Sequence, residues 1–359
     1  MKYLENIISK PIFVDWAITN KCYLSCAHCR YRGVDKQKNQ ELKFNEALEL
    51  ATEIDAINPD WILIEGGEPF LRDNIFDIIR YLKPRIDTDA HGLKKEHNLL
   101  NQSNPWLESR PIYIISSGLG FYTEYAHKCK EMDIRLMISL DSAIKETYEK
   151  IRVGAMLSKA IRAIEIAQEY NILDSINVTL QELNASEKEV TAIGKLSNEL
   201  KIKSINFLGF KPNSACAKNS LLTFNLQHLF SEITNIGEKY NIKVKVDEPF
   251  YLPWLKKSQV KAHSSRTKEN KGPIVAEKRA GCIFGEYVFI EPDGRIKPCS
   301  FSVLSFDEIG IDTIKQIQDK RNRKGKCGKC EYQLQCGGCR VRTFALTSNW
   351  LESDPFCPL

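Results

Sequence analysis

The stretch "TNKCYLSCAHCRYRG", Thr19 to Gly33, sets Cys22, Cys26 and Cys29 within eight residues, directly after the short apolar run "IFVDWAI" (12–18). A strand that runs into a thiol-rich loop is the observation from which the rest follows. Thiolates are soft ligands, and three on a tight loop suit three irons of a [4Fe–4S] cube, leaving the fourth iron open to a substrate or cofactor. Zinc would want a fourth Cys or His nearby at ribbon spacing, and C-x3-C-x2-C is not that pattern. His28 lies inside the loop and is expected to pack over the cluster rather than to ligate it.

The other cysteines repeat the theme. Of the 12 in the chain, Cys282, Cys299, Cys327, Cys330, Cys336, Cys339 and Cys357 form a second array, and only Cys129 and Cys216 stand alone. Close-set thiols in a reducing compartment read as metal ligands rather than as disulfides. The N-terminal segment has Glu5 and Asp15 flanking short apolar pieces, and no apolar run approaches a membrane span. The chain therefore reads as cytosolic and untargeted. With 359 residues, 43% hydrophobic, 27% charged and a net charge of +5, it has the composition of an ordinary globular protein, and bulk charge names no partner.

Around the first loop, short β-branched runs alternate with amphipathic stretches. Strands are expected at 12–18, 61–67, 112–117, 134–141, 175–181 and 204–210. Helical periodicity covers 45–57, 122–132, 157–170 and 186–200, with Ser186 and Glu189 as a capping box. This alternation predicts an α/β fold with a parallel sheet, and six βα units are too few for a closed eight-stranded barrel. The expected architecture is a partial (β/α)6 TIM-like barrel over residues 1–245, interrupted by an insertion at about 84–110. Functional loops would then gather at the carboxyl ends of the strands, where the cysteine loop falls.

On these residues the chain resembles the radical S-adenosylmethionine superfamily. "GGEP" at Gly66, Gly67, Glu68 and Pro69 follows the second strand, where that superfamily binds the methionine amino group. Two glycines would let the backbone approach the ligand, and Glu68 would offer a carboxylate to its ammonium. "SLDS" (139–142) resembles the family's Ser-x-Asp, and Arg152 the arginine that meets the cofactor's carboxylate or ribose. Ser117 and Leu208 occupy places where the family touches ribose and adenine. The resemblance implies reductive cleavage of S-adenosylmethionine to a 5′-deoxyadenosyl radical, fed by an electron donor such as ferredoxin or flavodoxin.

The second array resembles the SPASM extension, placed here at 282–359, with two auxiliary [4Fe–4S] clusters. Interleaved ligation in that family implies Cys282, Cys299 and Cys339 for the first auxiliary cluster and Cys327, Cys330, Cys336 and Cys357 for the second. "CGGC" is C-x2-C where the commoner pattern has C-x3-C, and the first set has only three thiols, leaving its fourth ligand open. A zinc ribbon over Cys327, Cys330, Cys336 and Cys339 is the competing reading.

The run 327–357 resembles enzymes of alternative heme and dissimilatory heme synthesis, which alter acetate and propionate side chains of a porphyrinoid. A basic linker at 246–281 carries, between Lys256 and Ala280, eight basic residues against two acidic ones, suited either to a multi-carboxylate ligand or simply to solvent. The principal alternative is a peptide or sulfatase maturase. The cysteine loop starts so early that no fused peptide-recognition domain is expected ahead of it. His91, His97 and Trp106 of the insertion read as surface loop, Cys216 as a bystander thiol and Cys129 as core. No membrane or nucleic-acid partner is expected, since the basic residues lack the interleaved aromatics of a strand-binding surface. A noncatalytic iron–sulfur carrier would need neither "GGEP" nor a barrel.

Overall fold

The structure is a computed structural model that describes residues 11–30, 41–82, 110–209, 211, 225–258 and 281–359. All six expected strands are present: β1 (Phe13–Thr19), β2 (Trp61–Gly66), β3 (Ile112–Ser116), β4 (Ile134–Ser139), β5 (Leu173–Leu180) and β6 (Ser204–Gly209). They pair in parallel in chain order, with helices α1 (Phe44–Ile57), α2 (Ile75–Tyr81), α3 (Thr123–Glu131), α4 (Lys145–Ile151), α5 (Leu157–Glu169) and α6 (Glu187–Glu199) between them.

Alternation along the strands separates two faces. One carries Trp16, Ile62, Ile64, Ile112, Ile114, Ile134, Leu136, Ile138, Ile176 and Phe207, buried in the main hydrophobic core. Each such side chain contributes on the order of 1.5–3 kcal/mol by leaving water. The opposite face carries Asp15, Glu65, Met137, Ser139, Asn177, Asn206 and Leu208. There Asn206 Nδ2 donates to Ser175 Oγ and to Asn177 Oδ1, both at 2.8 Å. This second face also carries Leu63, Tyr113 and Ile115, so it is mixed, with its polar side chains gathered toward β5 and β6.

Three features depart from the sequence reading. A seventh parallel strand, β7 (Lys243–Asp247), follows α7 (Leu226–Tyr240); its "KVKVD" alternates too evenly with lysine to read as a buried strand. The first residues of the expected linker form a packed helix, α8 (Tyr251–Ser258), because Tyr251 and Trp254 bury against Phe230. Ser186 does accept the Glu189 N–H, but the Glu189 carboxylate takes the Ser142 hydroxyl at 2.5 Å, so only half of the capping box forms.

The C-terminal module contributes to the barrel sheet. Strand β8 (Val288–Ile290) pairs in parallel with the outer edge of β1 and hairpins to β9 (Ile296–Lys297), giving one nine-stranded sheet in the order β7-β6-β5-β4-β3-β2-β1-β8-β9. Short helices α9 (Phe306–Ile309), α10 (Ile311–Gln318), α11 (Gly325–Gly328) and α12 (Arg340–Thr347) complete the module. Among the described residues no helix is long and apolar enough to cross a membrane. The insertion, Cys216 and most of the basic linker lie outside the described residues.

Candidate active site

Strand β1 changes register against β2 between Ala17 and Thr19, then turns into the cysteine loop. Such an irregularity re-aims the chain at a strand end. Thr19 Oγ1 and the Asn20 N–H both donate to Glu41 Oε1, at 2.7 and 2.9 Å, while Arg72 Nη1 donates to the Ile18 carbonyl at 3.2 Å. The loop backbone is tied on its far side: Ser25 N–H donates to the Val153 carbonyl at 2.9 Å, and Ala27 N–H to that of Ile151 at 2.7 Å.

The "GGEP" turn grips the same loop. Gly67 N–H donates to the Thr19 carbonyl at 2.7 Å and Glu68 N–H to that of Lys21 at 2.8 Å. A Cβ on Gly66 would stand 2.3 Å from the Thr19 oxygen, and one on Gly67 2.1 Å from the Lys21 oxygen. The glycines are needed here for contact between two protein segments, whatever they also do for a ligand. Gly67→Ala should therefore displace the loop, strip about four irons per chain from the reconstituted protein and lower its melting temperature; iron assay and thermal unfolding check both.

Glu68 is buried, and its carboxylate accepts from Ser116 Oγ at 2.8 Å, Ser117 N at 2.9 Å and Ser117 Oγ at 2.6 Å. Burial pushes its pKa up and these donors oppose that. A carboxylate offers about four acceptor positions, so three donors leave little of it for an ammonium. Ser117 thus meets Glu68, Ser139 sits buried at the end of β4, and Leu208 lies half-buried on the polar face of β6.

Arg152 lies behind the thiols. Its Nε donates to Asp141 Oδ2 at 2.6 Å and its Nη1 reaches Cys26 Sγ at 4.0 Å. Burial alone would lower its pKa, but Asp141 and the neighbouring Cys26 hold it above its usual value. Asp141 Oδ1 also accepts the Thr179 N–H at 2.7 Å. His28 meets Gln181 through Nδ1 at 3.1 Å and faces Asp141 through Nε2 at 3.7 Å, which engages both ring nitrogens with protein. Asp141 stands in the quoted "SLDS", yet its part in ordering Arg152 and the loop was missed; only a fully buried carboxylate, visible in three dimensions, shows it. A surface cleft beside Cys22 is lined by Asn20, Lys21, Tyr23 and Leu71. Deeper, Arg30 pairs with Glu65 and lies over Phe289 of β8, with the buried Asp15 beside them.

The second array separates into two groups. Cys339 packs in one cluster with Cys282 and Cys299, whereas Cys336 packs with Cys357 in another, and Cys327, Cys330, Cys336 and Cys357 line one small cavity. Gly337 and Gly338 have φ of +71° and +62°, a double left-handed turn that sends Cys336 to one group and Cys339 to the other. Backbone N–H groups point at the sulfurs: Leu24 at Cys22, Tyr332 at Cys330 and Gly338 at Cys336, each at 3.4 Å.

This donor set fits iron–sulfur cubes. Burial pushes the Cys26 thiol up to about 11 and the Cys336 thiol up to about 12, so a thiolate at either place calls for a cation, which bound iron supplies. Among the described residues no three His, Cys, Asp or Glu side chains converge closely enough for one metal ion. A cube spreads its thiolates over separate irons.

A parallel barrel sheet with an open three-thiol loop at its carboxyl end is the framework of a radical enzyme, and residues 16–190 match the Radical SAM superfamily. The chain carries a radical SAM domain and is an enzyme of that kind, a family that uses a [4Fe–4S] cluster and S-adenosylmethionine. It is 26% identical to the AdoMet-dependent heme synthase of Methanosarcina barkeri (strain Fusaro / DSM 804), over 97% of this chain and 96% of that one. It is 23% identical to the AdoMet-dependent heme synthase of Oleidesulfovibrio alaskensis (strain ATCC BAA-1058 / DSM 17464 / G20), over 96% and 86%. The fold matches the crystal structure of Streptococcus suis SuiB bound to S-adenosylmethionine with a TM-score of 0.69 at 15% identity, covering 99% of this chain and 79% of that one.

Proposed function

We propose that this enzyme alters carboxylate side chains of an iron porphyrinoid on the way to heme, with oxidative decarboxylation of a propionate as the reaction it fits best. The carrying observation is that its likeness to a heme synthase spans 97% of the chain, so it includes the C-terminal module and not the barrel alone. In this reading Cys22, Cys26 and Cys29 hold the open cluster, and the polar sheet face receives S-adenosylmethionine beside Gly66, Gly67, Glu68, Pro69, Ser117, Ser139 and Leu208. Cys282, Cys299 and Cys339 hold one auxiliary cluster; Cys327, Cys330, Cys336 and Cys357 hold the other.

The bound groups supply a carbon radical able to take a hydrogen atom from the substrate and a sink for the electron the product releases. Loss of a hydrogen atom from the ring-attached carbon of a propionate, then of CO2 and one electron, leaves a vinyl group and balances. The protein's share is orientation and exclusion of water: the Asp141–Arg152 pair buries the back of the loop, and the asparagines of β5 and β6 present a fixed polar floor. A small one-electron donor such as ferredoxin or flavodoxin completes the cycle.

The test is anaerobic turnover of the reconstituted enzyme with S-adenosylmethionine, dithionite and an iron porphyrin bearing propionates. The expected result is 5′-deoxyadenosine together with CO2 and a porphyrin product that mass spectrometry shows to have lost carboxyl groups. Cofactor cleavage with an unchanged porphyrin would defeat this substrate. The same fold occurs in SuiB, which was also crystallised with its precursor peptide SuiA; modification of a peptide and not of the porphyrin would move the assignment to that class.

A further inference from the structure

Cys282, Cys299 and Cys339 share their surroundings with two polar side chains, one lying between Cys282 and Cys299 in the chain and one from the barrel. Tyr287, buried just ahead of β8, packs with Cys299 and accepts the Ser300 N–H through its hydroxyl at 2.9 Å, which leaves the hydroxyl hydrogen available to the neighbouring Cys299 sulfur. Its ring stacks on Phe13 of β1 at 4.5 Å, so the hydroxyl is held by the barrel sheet itself. Lys211, just beyond β6, pairs with Asp247 at the end of β7, and its ammonium lies over Phe301 at 5.3 Å, a ring in the same packed cluster as Cys282, Cys299 and Cys339. The pair is lopsided: the Lys211 side chain is 11% exposed and that of Asp247 60%. The carboxylate is screened by water, whereas the ammonium acts on the thiols across a drier space. Arg342 is also near Cys339, but two buried carboxylates already neutralise it.

A hydrogen bond to a ligating sulfur and a nearby cation both stabilise the extra electron of a reduced cluster. We propose that Tyr287 and Lys211 are positioning residues that raise the reduction potential of the cluster held by Cys282, Cys299 and Cys339, making it the electron acceptor of the two auxiliary centres. This rests on the reading that these thiols carry a cluster. It assigns different redox roles to the two auxiliary groups from one side chain of the module, stacked on β1, and one of the barrel.

Potentiometry of the full chain tests it, in a parent in which Cys22, Cys26 and Cys29 are all replaced by Ala so that paramagnetic signals come from the auxiliary clusters alone. Tyr287→Phe keeps the ring and removes the hydroxyl; Lys211→Met keeps the length and removes the charge. The expected result is that one of the two signals becomes about tenfold harder to reduce in each variant, about 59 mV for one electron. The other signal should stay in place and iron should hold at about eight per chain. Unmoved potentials at full iron content, or equal shifts of both signals, would overturn the proposal. If one variant loses iron, the other decides; iron loss in both would also overturn it, by making the two residues mere scaffold. A parent that binds no iron would instead overturn the cluster reading on which the proposal stands.

Discussion

Arg342→Met should lower the stability of the protein by about 3–5 kcal/mol, the range for removing one partner from a buried ion pair. Arg342 Nη1 and Nη2 donate to the two Glu248 oxygens at 2.6 and 3.2 Å, and Nε and Nη2 donate to Asp354 at 3.0 and 2.7 Å. All three side chains are at most 1% exposed. Burial alone would lower the Arg342 pKa, and the two carboxylates hold it well above its usual value. Glu248 directly follows β7, while Asp354 belongs to the C-terminal module and accepts the Cys339 N–H at 2.8 Å. The substitution strands two buried carboxylates and loosens the backbone of a ligand cysteine. Urea unfolding of the reconstituted protein measures the loss. Arg342→Lys should recover only part of it, because an ammonium cannot make two paired contacts. A change below about 1 kcal/mol, the size of an exposed pair, would show that the junction is held elsewhere.

Arg152→Met should cost a similar amount, about 3–5 kcal/mol, and should take the iron of the first loop with it. Asp141 is fully buried and would lose its cation, and Cys26 would lose the positive charge beside it. Expected iron falls from about twelve to about eight per chain, with S-adenosylmethionine cleavage down by at least about tenfold, which one lost charge-assisted contact already accounts for. If Arg152 acts only on the cofactor, as the family resemblance implies, the variant would keep all its iron and show only a weaker affinity for S-adenosylmethionine. Iron assay and equilibrium binding separate the two.

The six strands were legible because Ile, Val and Leu recur in short runs between turn residues, and burial on the helix side demands that pattern. The seventh strand was not, because "KVKVD" faces the helices with few apolar atoms. Cysteine spacing marked the thiol-rich loops, since spacing is a local property. What spacing could not convey is the partner of each polar side chain. Glu68 read as a ligand for a cofactor, and its carboxylate also accepts from Ser116 and Ser117, contacts that spacing does not show. Arg152 read as a cofactor contact and is found against Asp141 and Cys26. Tyr287, Lys211 and Arg342 raised no signal, because each meets its partner across long separations in sequence. The two glycines of "CGGC" were read as an irregular interval; their left-handed turn gives that interval its purpose.

The pairing of β8 with β1 has a mechanical consequence. A strand from the auxiliary module is hydrogen-bonded beside the strand that delivers Cys22, so the module cannot swing away from the barrel without tearing the sheet. Among the described residues the opposite border, β7, has no further strand in that sheet. Through the β8–β1 pairing, the loop that carries Cys22 and the module that carries the second cysteine array are held at a fixed separation, and any electron passing between them travels a constant path.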